Sequence, residues 1–248
     1  MKKILLIGLV VVGIGVAGVV AVAFFLGQAI TAGVNKFGPA ITQTKVTLAS
    51  ARVSPIDGIG TLKGLVIGNP KGWSENNLCA LGEIHIKMEP MSVFGDRIVI
   101  HEIRIDGPEF NYETKIVASN VSDLLKAIEA TTGSPKPGAE QPMTNAGKPI
   151  KFEVKKFTLT NAVARVGGLG QGMTVQMPPI ELNDLGTKEG GITPAELVQA
   201  VMRSITSSVV AATMKGAGDL NLTSGAAAAE SLKKAGESIK GMFGGQKK

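Results

Sequence analysis

The chain has 248 residues, a formal charge of +6, only 4% aromatic residues and a single cysteine. A lone Cys79 excludes an internal disulfide framework and any cysteine-rich zinc site. The basic excess gathers at the ends (Lys2, Lys3, Lys233, Lys234, Lys240, Lys247, Lys248) without interleaved aromatics, which argues against nucleic-acid binding and for attraction to anionic lipid headgroups.

Residues 4–26 carry no charge. At about 1.5 Å per residue this run covers about 35 Å, enough to cross a bilayer core of about 30 Å. Ala21-Val22-Ala23 fits a signal-peptidase site, but the apolar run is longer than a signal peptide needs and continues through Phe24, Phe25 and Leu26. An uncleaved anchor is the expectation. Lys2 and Lys3 then stay cytoplasmic and the bulk of the chain lies across the membrane, in the periplasm of a Gram-negative cell. Small residues at Gly13, Ala17 and Ala21 suit a helix contact, although Gly and Ala are common in membrane helices in any case.

The helix is expected to continue through 28–37 and to stop at Gly38-Pro39. Beyond Lys45 the hydrophobic period changes to two. Val46 and Leu48 oppose Lys45 and Thr47, and Ile84, Ile86 and Met88 alternate with Glu83, His85, Lys87 and Glu89. Leu62, Val66 and Ile67 follow a Gly58–Gly60 turn. Ile98, Ile100, Ile103 and Ile105 follow Phe94-Gly95-Asp96, and Phe110 and Tyr112 follow Gly107-Pro108. Short strands punctuated by Gly, Pro, Asn and Asp predict an antiparallel meander with one dry face.

Asn120 or Ser122 can cap a short helix bearing Leu124, Leu125 and Ile128. Residues 133–149, rich in Pro, Gly and Lys, read as a mobile loop. Strands are predicted at 150–154 and 157–166, then a glycine-rich turn at 167–172, then strands at 173–177 and 180–182. Thr193-Pro194-Ala195-Glu196 carries a capping hydroxyl, Pro at the first helical position and a Glu to complete the box. Leu197, Val201, Met202, Ile205 and Val209 give the helix that follows one apolar face. In the tail, Leu232, Ala235, Ile239 and Met242 form a weak stripe beside Lys233, Lys234 and Lys240. It suits a frayed surface helix, or a basic helix lying on a membrane.

The predicted fold is α+β, mainly antiparallel β, with an N-terminal transmembrane helix and a few capping helices. Its regions are an anchor (1–30), a β-rich domain (31–215) and a low-complexity basic tail (216–248). No constellation of catalytic weight stands out and no cofactor is called for. His85 and His101, with Glu83 and Glu102 nearby, lack a third-ligand pattern. Ser231-Leu232-Lys233-Lys234 matches S-x-x-K only within a low-complexity tail. Gly168-Leu169-Gly170-Gln171-Gly172 lacks the Lys-Ser/Thr pair of a phosphate loop.

Val34-Asn35-Lys36-Phe37-Gly38-Pro39, directly after a membrane helix, resembles the start of AsmA-like envelope proteins. Leu62-Lys63-Gly64-Leu65-Val66-Ile67-Gly68-Asn69-Pro70-Lys71-Gly72-Trp73 is similar to their early strand and turn. Ile103-Arg104-Ile105-Asp106-Gly107-Pro108-Glu109-Phe110 and Ser119-Asn120-Val121-Ser122-Asp123-Leu124-Leu125 resemble their next strand and first short helix. Residues 152–166, Pro179-Ile180-Glu181-Leu182-Asn183-Asp184-Leu185-Gly186 and the Thr193 helix complete the order, over most of 30–215.

The resemblance implies a curved, taco-like sheet whose apolar groove shields phospholipid chains, in a protein of the bacterial inner membrane reaching into the periplasm. Strands of about eight residues span roughly 26 Å. So short a sheet suits a lipid-binding module or one segment of an assembly rather than a conduit between two membranes. By parity the groove is expected to be lined by Val46, Leu48, Leu62, Ile84, Ile86, Ile103, Ile105, Phe152, Val154 and Leu159. Two other readings stand beside it. One is a structural or assembly factor whose sheet edges pair with a second copy or another envelope protein. The other is an envelope hydrolase with a polar pocket at the histidines or an acidic pair.

Overall fold

The computed structural model describes residues 2–115, 118–132, 143, 147–167, 173–188 and 190–219. Most of 133–149, the turn at 168–172, the Ser231 match and the tail stripe lie outside the described residues. The chain is α+β, with three helices and one open, mostly antiparallel sheet. The order is α1 (Lys2–Thr42), β1 (Val46–Val53), β2 (Ile59–Gly68), β3 (Asn77–Met88), a 3-10 turn (Pro90–Phe94), β4 (Ile98–Asp106), β5 (Glu109–Lys115), β6 (Ala118–Ser119), α2 (Asn120–Thr132), β7 (Phe152–Thr160), β8 (Val163–Gly167), β9 (Met173–Gln176), β10 (Ile180–Leu185) and α3 (Pro194–Asp219).

Register reduces these strands to six ribbons. The long strand β3 pairs β2 along one side, and on the other pairs β4 with one half and β5 with the other half. So β4 and β5 are collinear. In the same way β7 continues into β8, and β9 into β10. The meander expected from the sequence is broken at one place: β7 lies parallel to β4, and β8 to β5. Parallel neighbours need a crossover, and the connection carrying α2 supplies it.

Every ribbon breaks its in-and-out alternation at the same level. Two consecutive residues leave the buried face at Ala49-Ser50, Lys63-Gly64, Gly82-Glu83, Asp106-Gly107, Thr160-Asn161 and Pro178-Pro179. The pairings Ser50↔Lys63↔Glu83 and Asp106↔Thr160 place these slips side by side across the sheet. Gly64, Gly107 and Asn161 have φ of 65°, 61° and 53° there. A left-handed residue inserted into a strand bends it and swings the next side chain back to the same face. A second line crosses three ribbons at His101-Glu102, Lys155-Lys156 and Asn183-Asp184, where Asp184 has φ 57°. The alternation is thus broken along two lines while the apolar residues stay on one side of the sheet.

The helices lie on that side. Leu78, Phe110, Tyr112, Val121, Leu124, Ile128, Ala164 and Val209 are at most 1% exposed and form the densest part of the core. Both halves of the predicted capping box form in α3: Glu196 N–H donates to Thr193 Oγ1 (3.2 Å) and Thr193 N–H to Glu196 Oε2 (2.7 Å). Helix α2 begins at Asn120 and its cap is Ser119, whose Oγ accepts from Ser122 N–H (3.1 Å).

Helix α1 runs four residues past the predicted stop. Gly38 is a packing residue: a Cβ there would stand 2.8 Å from Val46 Cγ1. Pro39 falls in the last turn, and the helix ends where Gln43 takes φ 55° and its N–H reaches Pro39 O (2.9 Å).

Candidate functional site

Two helices are long and apolar enough to cross a membrane by length and composition. In α3 44% of the most apolar window is buried within the structure, as in a core helix, whereas in the most apolar window of Ala17–Thr42 of α1 only 6% is buried. The N-terminal apolar helix is compatible with a single-pass membrane anchor.

The lower part of α1 covers one edge of the sheet. Asn35 Nδ2 donates to Leu48 O (3.2 Å) and Asn35 Oδ1 accepts from Leu48 N–H (2.6 Å), as a neighbouring strand would. A Cβ on Gly27 would meet Ala51 O at 2.3 Å, so only glycine lets the helix lie this close. With α1 in place the β1 edge is closed to strand addition. At the opposite edge an open cleft of about 420 Å³ separates β10 from α3, lined by Ile180, Leu182, Arg203, Ser204 and Ser208 among others.

All ten residues expected to line a groove lie on the apolar side of the sheet. Leu62, Ile84, Ile105, Leu159 and Ile180 form one row across five ribbons; Ile86, Ile103, Phe157 and Leu182 form the next, toward the anchor. Burial separates them. Ile84, Ile105, Val154 and Leu159 are closed into the core, and Val46 and Leu48 are buried beside α1. Leu62, Ile86, Ile103 and Phe152 are only half-buried, together with Met88, Ile98, Leu182 and Leu185. These half-buried positions lie toward the N-terminal end of α1, interspersed with the buried Ile100, Val154 and Phe157, and the other half of the face has half-buried residues of its own at Leu65, Ile67 and Val166. The half-buried set is wholly aliphatic apart from Phe152 and the Met88 thioether.

The opposite face is a ladder of polar residues: Thr61, His85, Arg104, Thr158 and Glu181 sit in one row. Lys63 pairs with Glu83 at 3.0 Å and holds its carboxyl below the usual range. His85 Nε2 lies 3.5 Å from Glu83, and His101 Nε2 lies 3.6 Å from Glu89. The two histidines thus belong to separate solvent-facing pairs. Among the described residues no three His, Cys, Asp or Glu side chains come together as a metal site. Burial raises the Cys79 thiol above its ordinary value, which makes it a poor nucleophile.

Sequence reasoning missed a polar latch at the far end. Asn120 Nδ2 donates to Asn69 Oδ1 (2.8 Å) and Asn111 O (2.7 Å), and its Oδ1 accepts from Glu113 N–H (3.0 Å) and Val121 N–H (2.8 Å). Trp73 Nε1 donates to Asp123 Oδ2 (3.0 Å), and Lys115 Nζ caps the Trp73 ring at 4.4 Å. Five Asn residues between 69 and 120 were the available signal. Their convergence is long-range.

No protein-family model matches the chain, and comparison with curated proteins returns no match either.

Proposed function

We propose that the chain is a single-pass protein of the bacterial inner membrane, AsmA-like in kind, with its β domain in the periplasm and a short taco-like apolar groove that binds phospholipid chains. The observation that carries this reading is the placement of the half-buried aliphatic surface. Leu62, Ile86 and Ile103 of that surface lie on the half of the sheet nearest the point where α1 enters its apolar segment. A lipid tail leaving the bilayer there would exchange one aliphatic setting for another, at little cost in hydration. Flexible aliphatic walls suit acyl chains of varied length, and the polar ladder keeps the outer face in water.

A second reading, a non-enzymatic assembly factor, draws on the β9–β10 ribbon, which has a strand neighbour on one side only. An extended partner segment could add there by β-augmentation.

Native mass spectrometry of the gently extracted full chain, with analysis of released lipid, tests the first reading. Bound phospholipid that is lost in Ile86→Asp or Ile103→Asp supports it. A lipid-free mass in the wild type overturns it and, if multimeric, moves the weight to the assembly reading.

A further inference from the structure

We propose that the anchor-side end of the domain is itself a membrane contact: an apolar tip formed by Ile56, Ile59, Met91 and Phe94 enters the same leaflet that α1 leaves. This rests on the anchored reading above and adds a second point of attachment to it.

The four side chains are 74%, 54%, 70% and 81% exposed, and large apolar groups held out to solvent together mark interaction surfaces. They come from two segments that are locked together. A Cβ on Gly58 would fall 2.0 Å from Met88 O and 3.1 Å from Pro90 Cδ, and Met88 N–H donates to Gly58 O (2.9 Å). The first segment is closed by Ser54 N–H to Ile59 O (2.8 Å) and Gly58 N–H to Ser54 O (3.0 Å). The second is closed by Ser92 Oγ, which donates to Glu89 O (2.6 Å) and accepts from Val99 N–H (3.0 Å). The tip is therefore held out to solvent by its own hydrogen bonds.

What covers it follows from height. Gly27, Asn35 and Gly38 of α1 lie beside Ala51, Leu48 and Val46 of β1, so helix and strand run antiparallel. The spacing agrees: about 16 Å for the helical stretch at about 1.5 Å per residue, and about 16 Å for the strand at about 3.3 Å. Beyond Ala51 the hairpin extends by about three residues, or roughly 10 Å. On α1 that distance corresponds to about seven residues before Gly27, near Val20. The hairpin tip thus stands level with Val20, Val22, Phe24 and Phe25, all exposed and all inside the uncharged segment. A bilayer that surrounds those residues reaches the tip. The nearby charges limit how deep it goes. Asp57, held ionised by hydrogen bonds from Ser54 and Ile59 N–H, sits in the same turn, and Arg97–Glu153 (2.9 Å) and Lys148–Asp96 (3.7 Å) are paired at the rim. The tip is an interfacial wedge, not a second span.

The test uses the full chain in vesicles of phosphatidylethanolamine and phosphatidylglycerol containing doxyl-quencher lipids. Phe94→Cys, Ile56→Cys, Val22→Cys and Glu75→Cys each receive an environment-sensitive fluorophore; native Cys79 is buried and does not compete for it. The expected result is loss of about half or more of the emission at 94 and 56, as at 22, with quenchers about 5–10 Å below the headgroups, and no loss at the far-end position 75. Quenching at 22 with none at 94 and 56 overturns the tip and leaves the anchor standing. No quenching at 22 removes the anchor and the tip with it. Blue-shifted but unquenched emission at 94 assigns the tip to a protein contact and overturns the membrane assignment.

Discussion

The two halves of the sheet, divided where all six ribbons break their in-and-out alternation, are built from the same alternating aliphatics yet covered differently. In the far half, Phe110 and Tyr112 of β5 are sealed in one cluster with Leu124 and Ile128 of α2. In the anchor-side half, Leu62, Ile86 and Ile103 keep partial exposure on the same face. Phe110 and Tyr112 thus carry packing that Leu62, Ile86 and Ile103 do not, although Val154 and Leu159 of the second half are as deeply buried.

The sharpest way to break the comparison is to cut into the sealed half. Phe110→Ala should cost about 3–5 kcal/mol, read as a lower urea midpoint of the detergent-solubilised protein. Asn120→Ala comes next, at about 3 kcal/mol, because it strands donors and acceptors on Asn69, Asn111, Glu113 and Val121 at a fully buried position. Ile103→Ala should cost only about 1–2 kcal/mol in the same titration while lowering the amount of co-purified lipid, and a cost equal to that of Phe110→Ala would erase the distinction between the halves.

The smallest effect lies at the break in alternation itself. Asp106 accepts from Asn161 Nδ2 (2.7 Å) and Thr160 Oγ1 (2.9 Å), which holds its carboxyl below the usual value. A depressed carboxyl contributes stability that is full above the unfolded value of about 3.9 and is lost as pH falls through the folded one. A difference in acid stability between wild type and Asp106→Asn should therefore be present at pH 6 and vanish in the most acid part of the titration.

Local chemistry was legible in the sequence where one segment decides it. The capping box at Thr193 and Glu196 and the alternation of β3 are of that kind. The ten apolar residues expected to line a groove share one face because each strand was read by itself, across breaks such as Lys155-Lys156 that turn the pattern over; their common face is apolar without thereby being a groove. Pairing order was not legible, since Phe152 and Val154 alternate in the same way beside a parallel or an antiparallel neighbour. Gly38-Pro39 misled because the partner that makes glycine necessary, Val46, lies outside the helix.

Helix α1 also has a mechanical consequence. It runs without interruption from Lys2 to Thr42, about 60 Å, and its second part is seated along β1. No break in the helix separates its apolar part from the part seated on β1, so it contains no swivel. With the apolar part anchored in a bilayer, as proposed, torque applied to it would turn the whole domain through the same angle. The azimuth of a single buried helix would then decide which way the domain's open side looks.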